Sequence, residues 1–164
     1  MNNAFFNWCH PFLNKLSEGA TIKLGFKIFL WVLGGLLFLG GLWNLYQSLT
    51  NFMADYFFFS LGMMFASWIA LQVCWFRAQS IANVPNSKYV VSAIFSIFLR
   101  ANGEIWATYL AVGGVTGALI KGFPGGPLAF ILGPVVGFVV ITIFYFFAER
   151  LGALPEIAVN TKKD

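Results

Sequence analysis

Four apolar runs, about 26–49, 56–76, 104–120 and 128–148, leave this chain few folds to choose from. An α-helix rises 1.5 Å per residue, so about 20 apolar residues cross the ~30 Å hydrocarbon core of a bilayer. Three of the runs are long enough. The run at 104–120 is slightly short, which an upright helix or a thinned bilayer accommodates. Composition removes the soluble alternative. Of the 164 residues 59% are hydrophobic and 10% are charged, with mean hydropathy +0.78, whereas soluble domains average about 25% charged. A soluble fold would leave apolar patches large enough to aggregate. The expectation is an all-α integral membrane protein, one membrane domain over 1–164 with four transmembrane helices and the lipid bilayer as its first partner.

The few charges fall at the ends of these runs. With four spans, Lys15, Lys23, Lys27, Arg77, Lys88, Arg100, Arg150, Lys162 and Lys163 land on one side and Lys121 on the other. By the positive-inside rule both termini are expected in the cytoplasm. Net charge is +4, but the basic residues are scattered singly, so no nucleic-acid footprint is expected. No short apolar core with a small-residue cleavage site occurs near the start, so the first run reads as a retained anchor. Ahead of it, Phe5, Trp8, Phe12 and Leu16 recur at helical spacing with Asn7, Asn14 and Lys15 between them, which predicts an interfacial amphipathic segment bent at Pro11.

Residues 88–104 are ambiguous. Lys88, Ser92, Ser96, Arg100, Glu104 and Thr108 recur every fourth position and trace a polar stripe on one helical surface. In one arrangement 88–100 is a short amphipathic helix on the cytoplasmic surface, broken at Asn102-Gly103, with the third span starting near Glu104. In the other, 88–120 is a single tilted helix carrying Arg100 and Glu104 inside the fold. The Asn-Gly pair favours the first. There, Arg100 and Glu104 neutralise each other as i,i+4 partners; the alternative role is a polar contact in a pore or with a partner subunit, with Gln72 as a further polar candidate in the second span.

The stretch 104–148 reads as a hairpin turning at Lys121–Pro127. Both arms carry small residues four apart: Gly113 and Gly117 on the first, Ala129, Gly133 and Gly137 on the second. In lipid, burying Leu against Leu gains little, and helices associate where small residues let backbones approach. These five are the expected packing interface, within the hairpin or with another chain. Pro134 is expected to kink the last span.

No set of residues suggests catalysis. His10 is the only histidine, which excludes a bis-histidine haem and a two-histidine metal site. Cys9, His10 and Cys74 match no zinc spacing, and free thiols are expected. Gly125-Gly126 lies between prolines and follows no strand, so it is no phosphate loop. Neither metal nor cofactor is expected.

At the end of the chain, Ala148, Glu149, Leu151, Leu154, Ile157, Ala158, Asn160, Thr161 and Lys162 follow the form A-E-x-L-x-x-L-x-x-I-A-x-N-T-[RK]. This segment, within Phe146–Lys163, resembles the C-terminal pattern of small uncharacterised bacterial inner-membrane proteins, with Pro155 as a departure. The resemblance implies a bacterial inner-membrane location and no activity. The functional expectation is a non-enzymatic accessory or scaffolding subunit of an oligomeric membrane complex, built with other membrane subunits or with itself. The alternative is a small oligomeric channel or transporter component, with Arg100, Glu104, Gln72 and the Pro134 kink along its path.

Overall fold

The chain forms four helices: α1 Ala20–Thr50, α2 Ala54–Ala82, α3 Val90–Lys121 and α4 Gly125–Asn160. A computed structural model describes residues 19–51, 54–85, 90–121 and 125–160. The expected interfacial segment around Phe5–Leu16, and Cys9, His10, Lys162 and Lys163, lie outside the described residues. Each of the four helices is long and apolar enough to cross a membrane, the architecture of an all-α, multi-pass membrane protein.

The helices extend beyond the apolar runs, mostly at the basic end. At 1.5 Å per residue, α4 is about 54 Å long against a ~30 Å hydrocarbon core. It continues through both Pro134 and Pro155. Gly19 sits just before α1 at φ 75°, and a Cβ there would meet Val90 Cγ1 at 2.7 Å, so both the turn and the close approach require glycine. The Lys23 ammonium donates to the Val84 carbonyl, which ties the start of α1 to the loop that follows α2.

Small residues set the order of the helices. On α2, Ala66, Ala70, Cys74 and Ala78 recur every fourth position and all are fully buried. Against this stripe α1 brings Gly34, where a Cβ would stand 2.8 Å from Cys74 Cβ, and Gly41, where it would stand 2.5 Å from Ser67 Oγ. Trp31 and Trp75 stack beside it, centroids 4.8 Å apart. Polar side chains join neighbours at depth: Ser60 Oγ donates to Asn44 Oδ1 at 3.2 Å, and the Ser67 and Tyr109 hydroxyls meet at 2.7 Å. Ser67 also donates to the Met63 carbonyl one turn earlier, the usual way a helix absorbs a hydroxyl in lipid.

The α3–α4 seam is the tightest. Gly114 opposes Gly133, where a Cβ would lie 2.5 Å from Gly114 Cα. A Cβ at Gly137 would lie 2.8 Å from the Ala107 carbonyl oxygen, and one at Gly126 would lie 2.7 Å from that of Ala118. Toward the basic end, Gly103 faces Phe144, and Ser96 Oγ donates to the Ala148 carbonyl at 2.8 Å. Position numbers fall along α4 as they rise along α3, the register of an antiparallel hairpin.

The result is an open row, α1–α2–α3–α4. α1 meets α3 mainly near one end, where Phe26 and Phe98 pack edge to face at 5.7 Å, and α1 and α4 do not meet among the described residues. The most apolar stretches of α2 and α3 are 28% and 33% buried, but those of α1 and α4 only 11% and 6%. The outer helices are therefore solvated by lipid or covered by another protein.

Three expectations need correction. The amphipathic segment 88–100 is not a separate surface helix: α3 runs unbroken from Val90 through Asn102-Gly103 to Lys121. Gly103 is retained in the helix because a side chain there would strike Phe144, and Asn102 Nδ2 donates to the Phe98 carbonyl at 2.9 Å instead of breaking the turn. The third span accordingly begins well before Glu104. The second span likewise does not end near 76, since α2 continues to Ala82. Within the polar stripe, Ser96, Arg100 and Glu104 face partners on adjacent helices and Thr108 Oγ1 donates to the Glu104 carbonyl one turn earlier, which removes the reason to keep the stripe at a surface.

Candidate functional site

α3 places Glu104 between α2 and α4. Arg77 of α2 grips its carboxylate with two nitrogens: Nε donates to Oε2 at 3.0 Å and Nη2 donates to Oε1. From α4 the Tyr145 hydroxyl donates to the same Oε1, and Arg77 Nη2 also donates to that hydroxyl at 3.0 Å. The Arg77 and Glu104 side chains retain 14% and 18% exposure. Glu104 is the i,i+4 neighbour of Arg100, but its hydrogen bonds run to Arg77 and Tyr145. Arg100 instead lays its guanidinium over the Tyr145 ring, Cζ 5.4 Å from the centroid, and its Nε is buried with no acceptor.

Helix geometry locates this cluster. Arg100 is 21 residues before Lys121, about 31 Å along the helix, roughly one hydrocarbon thickness from the opposite boundary. Glu104 is one turn deeper. In this partly dry setting a bidentate, charge-assisted pair is stronger than at a wet surface. It also joins α2 to α4, whose backbones do not otherwise approach. With Arg100 counted, the group carries one net positive charge. No nucleophile adjoins a base in it, and among the described residues no three His, Cys, Asp or Glu side chains gather as a metal site would require.

The remaining polar candidate, Gln72, is exposed on α2 and does not join the cluster. Of the five small residues, Ala129, Gly133 and Gly137 face α3 along the seam, the first two at Gly114 and the third at Ala107. Gly113 lies 3.7 Å from Met63 Sδ by its notional Cβ, and Gly117 has open space around it. Both line a groove of about 570 Å³ between α2 and α4, walled by Phe59, Met63, Leu132 and Val136.

Sequence reasoning missed Arg77 and Tyr145. Two signals pointed to them. A polar stripe on an otherwise apolar helix requires polar partners on its neighbours. In the fourth apolar run, 128–148, only Thr142 and Tyr145 can make side-chain hydrogen bonds. No protein family, curated protein or solved structure matches the chain.

Proposed function

We propose that this chain is a non-enzymatic subunit of a larger bacterial inner-membrane assembly, supplying a helical surface to its partners and keeping both termini in the cytoplasm. The observation that carries this reading is the groove over α3. α2 and α4 flank α3 with no close backbone approach between them, and the floor of the groove is Gly113 and Gly117, with nothing within 4 Å of a Cβ at Gly117. A groove with a glycine floor admits the close backbone approach that drives helix association in lipid, and it would receive a helix of another membrane subunit. The largely uncovered faces of α1 and α4 support the same reading. The polar cluster then serves as a clamp that holds the groove's two walls at a fixed separation.

Gly117→Leu tests it. A Cβ here meets nothing within 4 Å and the position lines the groove, so thermal unfolding should stay close to the wild type. Extraction in mild detergent followed by size-exclusion chromatography with light scattering should show the wild type in a larger particle and the variant reduced to the single chain. A wild type that is already monomeric with no co-purifying protein, or a variant that assembles normally, would sink the proposal. The orientation is checked separately with C-terminal fusions: green fluorescent protein should fluoresce and alkaline phosphatase should be inactive.

A further inference from the structure

A cleft over α2 separates α1 from α3. It holds about 380 Å³, and its walls include Leu36, Gly40 and Asn44 of α1, Ser67 of α2, and Trp106 and Tyr109 of α3. Toward the basic end it is closed, because Phe26 and Phe29 of α1 pack on Phe95 and Phe98 of α3. Midway, the hydroxyls are spent on the chain itself. Ser67 Oγ donates to the Met63 carbonyl at 2.8 Å and accepts from the Tyr109 hydroxyl at 2.7 Å. The far end differs. Asn44 is exposed, and its Oδ1 accepts from Ser60 Oγ at 3.2 Å, but its Nδ2 has no acceptor among the described residues. The cleft adjoins the groove over α3, with Met63 and Tyr109 as a common wall, but an occupant here requires no partner there.

We infer that this cleft seats one diacyl phospholipid of the leaflet opposite the basic end. An ester carbonyl of the lipid accepts from Asn44 Nδ2, and the acyl chain lies along Gly40 toward the bilayer centre. Depth supports the pairing. Asn44 is level with Ser60, which is 17 residues, about 26 Å, from Arg77. Arg77 holds Glu104, one turn inside Arg100. Asn44 therefore stands about one hydrocarbon thickness from Arg100, at the opposite boundary, where acyl esters lie. Trp43 and Tyr46, with ring centroids 5.7 Å apart, mark the same interface. Shape decides between an acyl chain and a partner helix. A helix is about 10–12 Å across, and the phenylalanine closure stops it from lying along the full length between α1 and α3. An acyl chain enters from the Asn44 end and needs only the open part. Nothing lies within 4 Å of a Cβ at Gly40, which leaves a flat bed for its methylenes. The amide N–H groups then gain the acceptor that hydrocarbon denies them.

The test uses the full-length protein in detergent, titrated with dioleoyl phosphatidylcholine or with its ether-linked counterpart, which has the same headgroup and chains but no ester carbonyl. Bound lipid is read by native mass spectrometry. Wild type should retain the ester lipid about fivefold better, the value of one neutral hydrogen bond. Asn44→Leu should erase that preference; the Ser60 hydroxyl it releases can turn to its own helix, as Ser67 does. Gly40→Leu fills the bed of the cleft, so it should melt as the wild type does and retain less of both lipids. This second variant keeps the inference testable if Asn44→Leu fails to fold. Equal retention of ester and ether lipid by the wild type, retention of neither, a preference that survives Asn44→Leu, or unchanged binding to Gly40→Leu would each overturn it.

Discussion

Gly133→Leu should unfold the α3–α4 hairpin. The first atom of the new side chain would lie 2.5 Å from Gly114 Cα and 2.8 Å from the Leu110 carbonyl oxygen. Both are backbone atoms of a continuous helix, so no rotamer change relieves the overlap and the two helices must separate. Overpacking in a core usually costs about 1–3 kcal/mol. A backbone collision at the tightest seam belongs at or above the upper end, near 3 kcal/mol. Separation would also withdraw the Gly126–Ala118 and Gly137–Ala107 contacts. Thermal unfolding in detergent, followed by circular dichroism, should show a large fall in midpoint. Gly117→Leu, three residues beyond Gly114 but on the open side, should not. Equal melting of Gly133→Leu and wild type would refute the seam.

Glu104→Ala should be at least as damaging, for electrostatic reasons. It leaves the Arg77 guanidinium mostly buried without a counter-ion and removes the acceptor of the Tyr145 hydroxyl. Breaking a buried ion pair from one side costs about 3–5 kcal/mol, whereas replacing both partners by apolar residues of similar volume is often close to neutral. The double variant Arg77→Met/Glu104→Met should therefore regain much of the stability lost by the single change. A double-mutant cycle on unfolding midpoints measures this, with a coupling of about 2 kcal/mol expected. Additive single effects would show that the two residues act independently, and the clamp would then not exist. Tyr145→Phe should have a smaller effect, about 1 kcal/mol, since Arg77 still holds both carboxylate oxygens.

The two substitutions separate what was legible in the sequence from what was not. Four spans, their order and the crowding of basic residues at one end follow from the length of apolar runs and the position of single charges. These are one-dimensional properties, because the bilayer tests each segment against its own thickness. That small residues would form the close contacts was also legible, since lipid removes the advantage of large apolar side chains.

Register was not. Gly113, Gly114 and Gly117 are equally small, and only the rotation of α3 against α4 places Gly114 on the seam and leaves the other two in the groove. The Asn102-Gly103 pair misled for a related reason. Its local preference for a turn is overridden by a neighbour, Phe144, which needs the space a side chain would fill. Glu104 has one near cation in sequence, Arg100, and a better one 27 residues away, Arg77. Helix packing brings Arg77 and Tyr145 to the carboxylate with bidentate geometry, and that geometry outweighs proximity along the chain. The apolar pattern thus dictates how many helices cross the bilayer. Which faces meet, and so which charge is left unpaired, depends on close backbone contacts whose energy falls off within an ångström and which no pattern along the chain records.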